Sequence, residues 1–112
     1  MTALKIFEKV NLIMPLEQRR FLNYLEDTVE ELWAMFGGFV FCEDKEYAAP
    51  QTLSEDLAVL PLYHGAIVDN IVFLAGGEEG RKSEFIRKSH EAYLKYWNDN
   101  AKGRRMKMLR RW

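Results

Sequence analysis

Apolar residues recur along most of this chain at helical rather than strand spacing. In residues 2 to 11, TALKIFEKVN, Thr2 is placed to cap a short helix whose apolar positions are Leu4, Phe7 and Val10. The Met14-Pro15 step disfavours helical geometry at Met14 and suits Pro15 to the first turn of a second helix. From Leu16 to Phe36, the residues Leu22, Leu25, Val29, Leu32 and Phe36 recur at intervals of three and four, which makes one continuous packing stripe. Glu26, Asp27, Glu30 and Glu31 fall on the opposite face, where solvation accounts for them. Gly37-Gly38 ends this helix, because glycine accepts a left-handed cap conformation without a side-chain clash.

The periodicity then breaks. Phe39 to Cys42 reads as a short extended run, Glu43-Asp44-Lys45-Glu46 as its turn, and Tyr47 as the return. Ala48 to Gln51 is irregular, so residues 37–51 form an insertion, a projecting loop or short hairpin. Phe39, Val40, Phe41 and Tyr47 are too apolar for a purely solvated excursion, which makes them candidates for contact with a neighbouring protein. Thr52-Leu53-Ser54-Glu55 matches a capping box, predicting a helical turn over 53–59. Pro61 cannot lie deep in a straight helix, so a longer helix is expected from about Leu60 to Ala75. Apolar residues surround most of it: Val59, Leu62, Ala66 and Phe73 along one direction, Tyr63, Ile67, Ile71 and Leu74 along another. Such a helix is central or buried between subunits. Gly76-Gly77 terminates it, and a last helix is expected from about Gly80 to Ala101, with Phe85, Ser89, Tyr93 and Tyr96 on one stripe flanked by Ile86 and Trp97. Its Glu84-Lys88 and Glu91-Lys95 spacings suit ion pairs on a partly exposed face.

These elements define an all-α protein: a small helical bundle with a projecting loop and an extended basic C-terminal tail. The 112 residues fit one helical domain over 1–101, with 102–112 as a basic docking tail. A chain of this size buries roughly two thirds of its unfolded surface and needs no staple. Its single cysteine, Cys42, has no partner in the chain, which suits a reducing compartment. The opening MTALKIFEKV lacks the apolar run of a signal peptide, and no segment approaches the roughly 20 apolar residues of a membrane span. A soluble, intracellular protein is expected. The net charge of -1 conceals a strong asymmetry. Residues 37–75 hold six acids (Glu43, Asp44, Glu46, Glu55, Asp56, Asp69) against Lys45, whereas residues 102–112 hold Lys102, Arg104, Arg105, Lys107, Arg110 and Arg111 with no acid. Fields of opposite sign favour docking between unlike surfaces of identical subunits, or contact with an oppositely charged partner.

Little in the chain suggests chemistry. His64 and His90 have no ligand spacing to each other or to Cys42, and no CxxC or HxxxH is present. His64 is expected at an interface or helix surface and His90 on the exposed side of the last helix. Ser54, Ser83 and Ser89 lack a nucleophile elbow, and isolated acids such as Asp56 and Asp69 are ordinarily solvated or capping. The stretch from Gly76 to Ser83 ends in Lys-Ser, but Arg81 separates Gly80 from Lys82 and two acids occupy the loop, so it is not a Walker A motif. No catalytic residue, cofactor or metal site is expected. The basic tail carries the strongest signal. Its six bases suit nucleic-acid phosphates, an acidic protein groove with Met106, Leu109 and Trp112 as apolar anchors, or a membrane surface.

The whole chain resembles the small helical head-tail connector, or adaptor, proteins of tailed phages, which form a ring beneath the portal. The resemblance rests on length, on the order of helices with a variable loop after the long second one, and on Leu57-Ala58-Val59-Leu60-Pro61-Leu62-Tyr63. It extends to an acidic glycine turn, Gly76 to Gly80, and a tyrosine-containing helix from Phe85 to Tyr96. The insertion from Phe39 to Gln51 departs from the minimal pattern. The resemblance implies a structural protein at the virion neck, the head-tail interface, present in the host cytoplasm during assembly. It implies a homo-oligomeric ring, commonly dodecameric on the portal, that extends the channel for viral DNA ejection and carries the next neck or tail protein. It also implies that Arg104, Arg105, Met106, Lys107, Leu109, Arg110, Arg111 and Trp112 dock on the portal, with non-specific proximity to genomic DNA and no membrane. The rival reading from the residues alone is a small nucleic-acid-binding regulator that uses the basic tail.

Overall fold

The computed structural model describes residues 2–37 and 50–111, with side chains described as far as residue 98. It contains α1 (Ala3–Ile13), α2 (Gln18–Phe36), a 3-10 turn (Pro61–Tyr63), α3 (His64–Gly76) and α4 (Glu79–Arg111). The bundle is all-α as expected, and α3 packs against each of the other three helices. The core joins Ile6 and Val10 of α1, Phe21, Leu25, Val29 and Leu32 of α2, Tyr63, Ile67 and Ile71 around α3, and Phe85 of α4. The near-complete apolar covering of α3 is thus consumed inside one chain, and no face of it requires a second subunit.

Local chemistry explains where the elements begin and end. In α1 the buried positions are Ala3, Ile6 and Val10, while Leu4 is 41% exposed, one step around the helix from the expected stripe. Thr2 makes no side-chain cap. Instead the free N–H groups of Ala3 and Leu4 donate to the carbonyls of Glu55 (3.0 Å) and Leu53 (2.9 Å), and Thr2 forms an antiparallel bridge with Asp56. The segment after the insertion therefore caps α1, and this is why 53–59 is a turn followed by extended chain rather than a helical turn. The Glu55 carboxylate accepts from Gln51 N–H (3.1 Å), outside the capping-box geometry. Leu57, Ala58 and Val59 then run through the core in extended form.

Met14 leaves helical geometry before Pro15, as the step predicts (φ -152°, ψ 140°). Pro15 does not enter the next helix, because the chain stays extended long enough to bury Leu16. Asn11 ties this connection down, donating to Phe7 O and accepting from Leu16 N–H. Gly37 (φ 62°) closes α2 and Gly77 (φ 73°) closes α3, both in the positive-φ region that excludes most side chains. Pro61 takes the first position of the 3-10 turn, where its missing N–H costs nothing. The backbone of α4 continues as helix to Arg111, past Ala101 where the sequence reading ends it. Gly103 costs only about 1 kcal/mol in a helix, and the arginines, lysines, methionines and leucine around it are good helix formers.

Candidate interaction surfaces

The most elaborate side-chain arrangement is interior. Asp69 and Asn70, adjacent in the apolar α3, are both buried and both turned to account by α4. Arg81 donates to Asp69 Oδ1 at 3.0 Å, and Lys88 Nζ lies 2.7 Å from Oδ2, an ion pair out of hydrogen-bond alignment. Asn70 donates to Thr28 Oγ1 (2.8 Å) and Glu31 Oε2 (3.4 Å) and accepts from Lys82 (3.2 Å). Thr28 in turn donates to Tyr24 O, and the Lys82 ammonium is also paired with Glu31 and sits 4.8 Å from the Phe85 ring centroid. This lattice couples α2, α3 and α4 in one register. It reassigns several residues. Asp69 is neither solvated nor capping, Glu31 is not on a purely solvated face, and Lys88 pairs with Asp69 rather than Glu84. Arg87 instead takes both Glu84 (2.6 Å) and Glu91 (2.7 Å), which raises the guanidinium pKa and lowers that of Glu84.

A second cluster sits where α2 ends. Phe36 stacks on Tyr93 at 4.8 Å and meets His90 at 5.3 Å and Tyr63 at 5.9 Å, and Tyr93 continues to Trp97 at 6.2 Å. His90 is exposed, as expected, whereas His64 is buried rather than at a surface. His64 Nε2 lies 3.1 Å from Val59 O, and burial lowers its pKa. The Tyr63 hydroxyl is buried without a hydrogen-bond partner among the described residues, and desolvation, with Tyr93 and Tyr96 nearby, pushes it up to about 12. Asp56 is exposed beside Thr2 while Asp69 faces α4, so the two form no carboxylate pair. Among the described residues no group of three or more His, Cys, Asp or Glu is arranged to hold a metal. No helix among them is long and apolar enough to cross a membrane.

The exterior offers three features. An open groove of about 230 Å³ between the start of α3 and α4 is lined by Leu62, Gly65, Ala66, Lys88, Ala92 and Lys95, together with Glu91. Large apolar side chains stand out at Leu12 (87% exposed) and Leu94 (60%). The outer face of α2 exposes Glu26, Asp27 and Glu30. Lys82, the lysine of the Lys-Ser pair, points into the polar lattice, as does the Arg81 that breaks the Walker A spacing. Phe39, Val40, Phe41 and Tyr47 lie outside the described residues. Arg104, Arg105, Met106, Lys107, Leu109, Arg110 and Arg111 lie on the last turns of α4, beyond the described side chains, and Trp112 lies outside the described residues. The sequence reading missed the Asp69-Asn70 lattice, although two polar residues inside an otherwise apolar helix were its visible sign. No family model, curated protein or solved structure matches the chain.

Proposed function

We propose that the protein is a non-enzymatic structural adaptor, a connector subunit that assembles as a ring beneath a phage portal, extends the DNA channel and carries the next neck or tail protein. One observation carries the reading furthest. At 33 residues α4 measures about 50 Å, which equals the longest dimension of the molecule, 50 × 29 × 20 Å. A single helix thus spans the molecule and ends in six bases, while its first half is bolted to α3 through Asp69 and Asn70. A rigid body with a basic arm suits a part that must hold two larger components in fixed relation. The resemblance in helix order and in the Leu57 to Tyr63 stretch supplies the phage context, and with it the virion neck and the portal as partner.

The test is docking. Electron microscopy of the full chain mixed with portal should show an added ring, and Trp112→Ala should weaken portal binding at every salt concentration, by roughly 2 kcal/mol for a true anchor. Neutralising Arg110 and Arg111 should weaken it chiefly at low salt. Deleting residues 40–49 should leave helical content intact while weakening assembly or tail attachment. The six bases also favour a second reading, a nucleic-acid-binding regulator. That reading replaces the first if W112A binds portal normally while duplex DNA binding alone responds to the lost charges.

A further inference from the structure

We infer that the acidic outer face of α2 docks the basic C-terminal segment of a second copy of this chain. Asn23, Glu26, Asp27, Glu30, Trp33 and Ala34 are all exposed and follow the three-four spacing of one helical face. Glu26, Asp27 and Glu30 have no cation within ion-pair distance among the described residues. Glu78 and Glu79, at the start of α4, are likewise exposed and without an ion pair among the described residues, whereas four other acids of α2, α3 and α4 are matched. Glu31 holds Lys82, Asp69 holds Arg81 and Lys88, and Glu84 and Glu91 share Arg87. Glu26 and Glu30, one turn apart, repel each other at a cost of a few tenths of a kcal/mol. The face therefore carries unspent negative charge, and it ends at a tryptophan that is 46% exposed.

The matching positive charge lies in residues 102–111, which hold six bases and no acid, with Met106 and Leu109 among them. The direction of α4 requires this match to be made between chains. Lys82 meets α2 at Glu31, while His90 and Tyr93, farther along α4, meet it at Phe36. As it lengthens, α4 moves toward the C-terminal end of α2 and away from Glu26, Asp27 and Glu30. The helix then continues to Arg111, about 20 Å past Trp97. One chain's basic segment is thus carried away from its own acidic face and is delivered to that of a neighbour. The contact joins unlike surfaces, so it propagates head to tail and closes or extends according to its rotation. Bases at 102, 104, 105, 107, 110 and 111 cannot all share one helical face, so the contact leaves others for a second partner. The contact forms between free copies of the chain and needs no portal.

Sedimentation velocity of the full chain, nuclease-treated and without portal, should show salt-sensitive self-association. E26Q/D27N/E30Q and K102Q/R104Q/R105Q should each weaken it at least ten-fold at low salt, with unchanged helical circular dichroism. The reversed pair E26K/D27K/E30K and K102E/R104E/R105E should each fail to self-associate and should associate when mixed. A wild-type chain that stays monomeric at low salt, or association that survives either neutral variant, overturns the inference. Neither result bears on portal docking, which is measured with portal present.

Discussion

Asp69 shows how strongly a residue's meaning depends on what surrounds it. Its carboxylate is 4% exposed, whereas Arg81 and Lys88 are 34% and 40% exposed, so the cations have a route to water and the acid has none. Asp69→Ala should therefore cost less than Arg81→Ala/Lys88→Ala. The second variant strands a buried charge, at about 3 kcal/mol or more, and urea denaturation of both should show that order. Tyr63 makes the opposite case, because its buried hydroxyl gains nothing from a partner. Tyr63→Phe should be neutral or more stable by about 1 kcal/mol near neutral pH. With the folded-state pKa raised above the ordinary 10.0 to about 12, the unfolded chain ionises first as pH rises. Wild type should lose up to about 3 kcal/mol relative to Y63F between those values. His64 has the reverse sign. Its pKa is lowered from 6.5 by burial, so on acidification the unfolded chain takes the proton first. Stability should fall as pH drops below about 6.5, and His64→Gln, which keeps an amide donor for Val59 O, should flatten that dependence in thermal melts.

At the scale of the element, the α3–α4 turn places two glycines with opposite requirements side by side. Gly77 has φ 73°, with nothing within 4 Å of the site a Cβ would occupy, so Gly77→Ala should lose about 1 kcal/mol from backbone strain alone. Gly76 is the last helical residue of α3 and has no positive φ, and an added Cβ would meet only Met14, at 3.8 Å and 3.9 Å. Gly76→Ala should be neutral or stabilising by about 0.5 kcal/mol, through lower unfolded-state entropy and ordinary van der Waals contact. Denaturant midpoints that shift in the same direction for both variants would refute this account of the turn. The same scale explains α1, whose first N–H groups are satisfied by carbonyls of Glu55 and Leu53, about fifty residues away in sequence. No local capping rule can anticipate such partners.

For the whole molecule, the described core reaches along α4 to Ala92, with Tyr93 packed against it. Truncation after Asn98 should therefore change unfolding free energy by no more than about 0.5 kcal/mol, while removing the salt-sensitive contacts proposed for the basic segment. A large loss of stability would place that segment in the fold itself rather than at an interface. The division of charge is also different from its appearance along the chain. Asp69, one of six acids in the 37–75 block, is matched by α4. The unmatched acids described on α2 lie in a stretch whose negative charge the sequence reading assigned to simple solvation.

Helix type, the four main helices and the stops at Met14, Gly37 and Gly77 followed from the sequence alone, because three-four spacing, the Met14-Pro15 step and the glycines act through the local backbone. The central place of α3 was also legible, since a helix apolar on nearly every side has to be covered. Three features were decided only by tertiary packing. The 53–59 segment abandoned its capping box to cap α1, Ile6 rather than Leu4 turned inward, and Asp69, Asn70 and His64 became interior groups. In each case the local preference was worth about 1 kcal/mol or less. Burial of large side chains and satisfaction of distant backbone and polar groups outweighed it, and those partners exist only once the helices have come together.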